Sequence, residues 1–143
     1  GVTLIELLVV VIIMAILAAI VIPSYQNSLY KSRRSDAMTA LATLQQAQER
    51  WRGNHTTYQD TLSDLTGGSA STSSSGWYTM SIVAGSVGAG GYTARATASS
   101  TGKQAGDSAC GIFEIVQSGG TISYRSYSSG GTQNGSPDPC WVK

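Results

Sequence analysis

Leu7-Leu8-Val9-Val10-Val11-Ile12-Ile13-Met14-Ala15-Ile16-Leu17-Ala18-Ala19-Ile20-Val21-Ile22 is an uninterrupted apolar run, and Val2 to Ile5 extend it across a single acid, Glu6. A soluble core helix alternates apolar and polar faces, and this stretch has no polar face. At about 1.5 Å per residue a helix needs roughly 20 apolar residues to cross a bilayer, which Val2 to Ile22 supply. A secretory signal peptide is the competing reading. It would carry a basic start, a shorter apolar core and a small-residue cleavage site, whereas no basic start is seen here and Pro23 follows the core.

Around this run the chain is of one-domain size: 143 residues, 41% hydrophobic and 12% charged, with net charge +1. A balance so near neutrality excludes a generalised polyanion binder, because phosphate affinity is driven by clustered Lys and Arg. Glu6 is the anomaly. A carboxylate among hydrocarbon signals a function and a partner. Either it snorkels to the interface or it pairs with a positive group from another chain. Its place near the N-terminus favours pairing, and the α-amino group of a neighbouring copy is the cation at hand.

Gly1-Val2-Thr3-Leu4-Ile5-Glu6-Leu7-Leu8, with the apolar run and Pro23 behind it, resembles the class III signal of type IV pilins. The resemblance implies that a prepilin peptidase cuts after Gly1, that Val2 becomes the methylated mature N-terminus, and that Glu6 neutralises the amine of an adjacent subunit during assembly. It also implies the partners: other pilin copies in a homopolymer, the bacterial inner membrane before assembly, and the pilus assembly machinery. Afterwards the subunit sits in an extracellular filament. Most pilins have Phe where Val2 stands, and many have Gly where Ala15 stands. Pilins in filaments often lose helicity between that Gly and the Pro, and Ala15, a strong helix former, leaves the extent of such melting open. A disturbance is still expected just before Pro23, which removes a backbone bond and crowds the preceding turn.

No breaker follows Pro23 until Gly53, so the helix is predicted to run to about Arg52, roughly 75 Å in all. Ala37, Ala40, Leu41, Leu44, Ala47 and Trp51 recur at spacings of three and four, a stripe that needs a globular partner. Tyr30 to Trp51 is most similar to the branch of minor and DNA-uptake pilins with PilE-like and ComP-like members. Lys31, Arg33 and Arg34 form the dense basic cluster. Cations just past a span ordinarily mark the cytoplasmic side, but pilin leaders carry their own Lys or Arg and set the N-terminus inside. Three roles compete for the cluster: a solvated face, an inter-subunit salt-bridge surface, or a DNA phosphate contact. Burial between subunits disfavours the third, with Asp36 and Glu49 as candidate inter-subunit partners.

From Gly53 the composition turns to Gly, Ser, Thr and Tyr, and alternation replaces the helical period. A short helical piece is expected around Leu62 and Leu65, then a low-complexity loop from Gly67 to Gly76. Strands are predicted at Trp77–Ala84, Tyr92–Ala98, Cys110–Gln117 and Thr121–Tyr127, with Gly119-Gly120 closing the last pair as a hairpin. Tyr78, Met80, Ile82 and Ala84 share one face. The fold class is α+β: a long N-terminal helix on a four-stranded antiparallel sheet, the pilin arrangement. Residues 1–28 form the membrane and assembly half of the helix. Residues 29–143 form the head, with half-helix 29–52, αβ-loop 53–76, sheet 77–127 and D-region 110–143.

Cys110 and Cys140 are too few for a Cys-only zinc site and His55 is the sole His, so no metal or other cofactor is expected. In an exported protein the two cysteines most simply pair, and closing that loop is worth roughly 3–4 kcal/mol in the chain-entropy model. The tail they bound matches the D-region of pilins, including the Cys140-Trp141 ending of the minor-pilin branch. Catalysis has no Ser/His/Asp set or phosphate cradle to support it, so the chain is not expected to be an enzyme. Gly88-Ala89-Gly90-Gly91 reads as a turn between strands. Asn54-His55-Thr56 and Asn134-Gly135-Ser136 are chance-level sequons.

The expectation is a type IV pilus subunit serving adhesion, twitching motility or DNA uptake. The alternative is a minor pilin acting as a DNA-uptake receptor, ComP-like, with Arg95, Lys103, Arg125 and Lys143 as candidate phosphate contacts and tyrosines or Trp77 for stacking. Host surfaces are a further candidate partner. A type II secretion pseudopilin is the third reading, although no acidic loop for calcium lies beside the cysteines.

Overall fold

The computed structural model of the chain describes residues 1–68 and 71–141. Its elements run α1 (Leu4–Arg52), α2 (Leu62–Thr66), β1 (Tyr78–Ile82), β2 (Gly91–Ala98), a 3-10 helix (Lys103–Gly106), β3 (Ile112–Ser118) and β4 (Thr121–Tyr127). The chain divides into two compact units, Gly1–Ser32 and Arg33–Lys143, and α1 contributes to both.

In the first unit the large apolar side chains from Val2 to Tyr25 stay exposed, from 48% at Val9 to 88% at Leu4, while Leu29 is half-buried. The helix begins with a reciprocal cap. Thr3 Oγ1 accepts from the Glu6 backbone N–H at 3.3 Å, while Glu6 Oε2 accepts from the Thr3 N–H at 3.0 Å. α1 is continuous through Pro23, so the disturbance expected before it does not interrupt the helix. One proline deletes one donor from a helix of 49 residues.

In the second unit, Ala37, Leu41, Leu44 and Ala47 of α1 turn inward as their spacing predicts. They meet one face of a four-stranded antiparallel sheet in the order β1-β2-β3-β4. That face carries Tyr78 and Met80, then Tyr92, Ala94 and Ala96, then Phe113 and Ile115, every second residue along each strand. Ala37, Ala94 and Ala96 are 0% exposed, and their small side chains let helix and sheet approach closely. The Gly119-Gly120 turn has φ of +56° and +83°, both left-handed, and fixes the β3–β4 register at Ser118↔Thr121. At Gly91 a side chain would collide with the Gln117 carbonyl of β3, so a glycine is required there.

The strand ends are trimmed relative to the expectation. β1 stops at Ile82 rather than Ala84, and β3 starts at Ile112 rather than Cys110. The second change has a cause in packing: Ser129 crosses so close to Gly111 that a Cβ would strike its backbone. Cys110 and Cys140 form a disulfide with Cα atoms 5.7 Å apart. It brings Trp141 onto the core face of β4. There the indole meets Phe113 edge-on at 5.5 Å and Tyr124 at 4.8 Å, and donates to the Arg125 carbonyl at 2.7 Å.

Candidate functional site

Two parts of the chain carry the residues singled out in the sequence. At the N-terminus, Gly1 and Val2 precede the helix, and Glu6 is the acceptor of the cap described above. The carboxylate receives a second bond from Thr3 Oγ1 at 3.0 Å, again on Oε2. The pattern Thr3-Leu4-Ile5-Glu6 is the S/T-x-x-E capping signature, so this local role of Glu6 was readable in the sequence. The cap holds the carboxylate at the start of the helix, among exposed Val2, Ile5 and Leu7.

In the head, the register places Arg95 of β2 opposite Glu114 of β3, and Glu114 opposite Arg125 of β4. The three lie on the sheet face away from α1, because Ala94, Ala96, Phe113 and Ile115 point to the core. Arg95 Nε donates to Glu114 Oε1 at 2.7 Å, and the Tyr127 hydroxyl donates to Oε2 at 3.0 Å. Glu114 is thereby covered, its side chain 3% exposed, while Arg95 keeps 38%. Burial, followed by the bond to Glu114, raises the Tyr127 phenol above its usual range. Arg125 is exposed beside them, so the row presents two cations and one buried anion. Lys103, also exposed, stands on the 3-10 helix in the β2–β3 connection. Lys143 lies outside the described residues. The structure therefore unites Arg95 and Arg125 on one face and sets Lys103 on a separate loop.

The basic cluster of α1 separates into different roles. Arg34 is turned inward and forms a bidentate pair with Asp107, Nε to Oδ2 at 2.7 Å and Nη2 to Oδ1 at 2.8 Å. Its side chain is 11% exposed and that of Asp107 3%. Gln104 Nε2 donates to Asp107 Oδ2 at 3.2 Å and to the Tyr78 hydroxyl at 3.0 Å, so one network ties α1 to the 3-10 helix and to β1. Burial, the leading cause, pushes the Tyr78 phenol up to about 12. Sequence reasoning missed this network, but half of it was readable: Arg34 precedes Ala37, Leu41 and Leu44 at the spacing of the buried stripe. Nothing in the sequence selected Asp107 among the scattered acids.

Arg33 lies over the Trp77 ring at 4.2 Å from its centroid, so one face of that indole is taken by the protein itself. Asp36 is engaged within the chain, accepting from Ser74 Oγ at 3.2 Å and the Ser75 N–H at 3.3 Å, and Glu49 accepts from Tyr58 at 3.3 Å. Asn134 is likewise occupied, donating to Ser126 Oγ at 2.8 Å and to the Ala109 carbonyl at 3.1 Å. A cavity of about 410 Å³ lies between α1, α2 and β1, lined by Leu44, Leu62, Leu65 and Met80 with Ser and Thr hydroxyls and Arg50. Its described lining has no carboxylate, His or Cys, and no group of three metal-ligating side chains occurs among the described residues.

Comparison with known proteins gives one family. Residues 23–114 match the family model described as "Type IV minor pilin ComP, DNA uptake sequence receptor". The match begins at Pro23 and ends at Glu114; it includes Arg95 and Lys103 and stops before β4 and the C-terminal segment. No curated protein matches the chain.

Proposed function

Because the chain belongs to the type IV minor pilin ComP family, we propose that it is a minor subunit of a bacterial type IV pilus whose head binds duplex DNA for uptake. The family match over more than half the chain carries this reading. The long apolar helix, the four-stranded antiparallel sheet and the Cys110–Cys140 disulfide are the pilin fold, and the role of such a subunit is structural rather than catalytic.

The first unit would anchor the precursor in the inner membrane and, after cleavage following Gly1 by prepilin peptidase, pass into the extracellular filament among other pilins. Glu6 would then meet the amine of Val2 in an adjacent subunit, exchanging its local cap for a charged partner. Pro23 marks the polar end of that assembly segment. In the head, the exposed Arg125 and Lys103 would supply phosphate contacts, while Arg95 would contribute less because Glu114 already holds it. Net charge +1 limits non-specific affinity, so such a head would depend on few contacts placed well rather than on a broad basic field.

The test is deletion of this chain in its own host. The expected result is normal filament number with loss of DNA uptake. Loss of the filaments themselves would identify a major subunit instead.

A further inference from the structure

On the sheet face away from α1 the four strands carry hydroxyl and apolar side chains and three charged ones, Arg95, Glu114 and Arg125. The anion stands between the cations. Neighbouring strands are about 4.8 Å apart, so β3 sets Glu114 one strand spacing from Arg95 on one side and from Arg125 on the other. Both carboxylate oxygens are engaged: Arg95 Nε and Nη2 reach Oε1, and the Tyr127 hydroxyl donates to Oε2. Arg125 bonds to the same phenol, opposing the rise that burial and Glu114 cause in it. The four side chains are thus one connected patch, with the carboxylate 3% exposed, Arg95 38% exposed and Arg125 open to solvent. A buried carboxylate is costly to keep at a position where a hydroxyl, as at Thr93 and Thr97 of β2, would pair across strands without a charge.

We propose that Glu114 is a specificity-determining residue of the head: its buried charge restrains the sequence-independent attraction of this face for duplex DNA. The proposal rests on the DNA-binding reading above. Phosphate is the same in every sequence, so each cation left uncompensated strengthens binding to all duplexes alike. With two cations and one anion the face carries a net +1, and it would carry +2 without the charge of Glu114. A phosphate at either guanidinium lies within the Debye length of the carboxylate, about 8 Å at physiological salt, and burial keeps solvent ions from screening it. Arg95 therefore adds little to the general attraction, and discrimination falls to contacts other than those with phosphate.

The experiment is fluorescence anisotropy of a random-sequence DNA duplex with the full chain in nonionic detergent, across a salt series. Glu114→Gln keeps an acceptor oxygen for Arg95 and removes the charge. It should steepen the slope of log affinity against log salt by about 1 and tighten binding about fivefold to tenfold at about 0.1 M salt. Tyr127→Phe removes the bond to Oε2 and no charge, so it should leave the slope at the wild-type value; a purely structural role of the pair would not separate these two variants. Replacing Arg95 and Glu114 together by Ala removes the pair without changing the net charge, and should also leave the wild-type slope. Retention of the Cys110–Cys140 bond by mass and an unchanged unfolding midpoint verify folding. If Glu114→Gln fails to fold, the double variant decides, since removal of both partners leaves no buried charge behind. An unchanged slope in folded Glu114→Gln, or a slope lowered by about 1 in the double variant, overturns the proposal while the DNA-binding reading stands. Absence of binding by the wild type and Glu114→Gln alike refutes that reading, and this proposal with it.

Discussion

The two units of this chain solve the problem of apolar surface in opposite ways. In Gly1–Ser32 the large apolar side chains from Val2 to Tyr25 stay exposed, from 48% at Val9 upward, and Glu6 bonds back to Thr3. In Arg33–Lys143 the apolar residues alternate with polar ones, bury against one another, and are joined across long sequence separations by Arg34–Asp107 and Cys110–Cys140. A helix without a tertiary partner depends on its surroundings for stability, whereas a packed head carries its own. The same hydrophobic rule thus leaves one unit with an apolar surface and gives the other a core of its own.

The sharpest way to break this contrast is at Glu6. Glu6→Ala should cut incorporation into filaments by about tenfold or more, since the amine of a neighbour would lose its charge partner. The thermal unfolding of the head should stay unchanged. Quantifying the chain in sheared filaments checks the first part and circular dichroism the second; a shifted head transition would mean that the two units are coupled.

In the head the order of effects reverses. Arg34→Ala should destabilise it by about 3–5 kcal/mol, because Asp107 would be left buried without its partner. Denaturant unfolding of the full chain in detergent measures that loss. Replacing Cys110 and Cys140 together by Ser should cost about 3–4 kcal/mol by loop entropy. Release of Trp141 from Phe113 would be visible in its fluorescence. Neither change should alter insertion of the first unit into vesicles.

The smallest expected effect is alkaline. The Tyr78 phenol ionises near pH 12 in the folded head but near pH 10 when unfolded. Its contribution is therefore fully present below pH 10 and is lost as the pH rises from about 10 to about 12. Tyr78→Phe should flatten that part of the stability profile, measured by the unfolding midpoint against pH.

Much of this was legible beforehand, for identifiable reasons. The apolar run, the stripe from Ala37 to Ala47 and the Gly119-Gly120 turn are local patterns, and each became the element its period or turn chemistry dictates. Arg34–Asp107 was not legible, because which acid meets a buried Arg depends on where the chain returns after β2. The pairing of Arg95 with Glu114 was illegible for the same reason, because it exists only in the β2–β3 register. The continuity of α1 through Pro23 was legible too, since a single missing donor does not end a long helix. At Gly111, the crossing of Ser129 set the start of β3, and no local propensity reports such a crossing.

The central claim is that this filament subunit carries a DNA-binding head. Its most direct test is the affinity of the detergent-solubilised full chain for duplex DNA carrying an uptake sequence, measured by fluorescence anisotropy across a salt series. The account predicts saturable binding that weakens steeply with salt. Arg125→Ala and Lys103→Ala should each lower the slope of log affinity against log salt by about 1, and Arg95→Ala should lower it less. Absent or salt-insensitive binding, or a wild-type slope in both the Arg125 and the Lys103 variants, would contradict it.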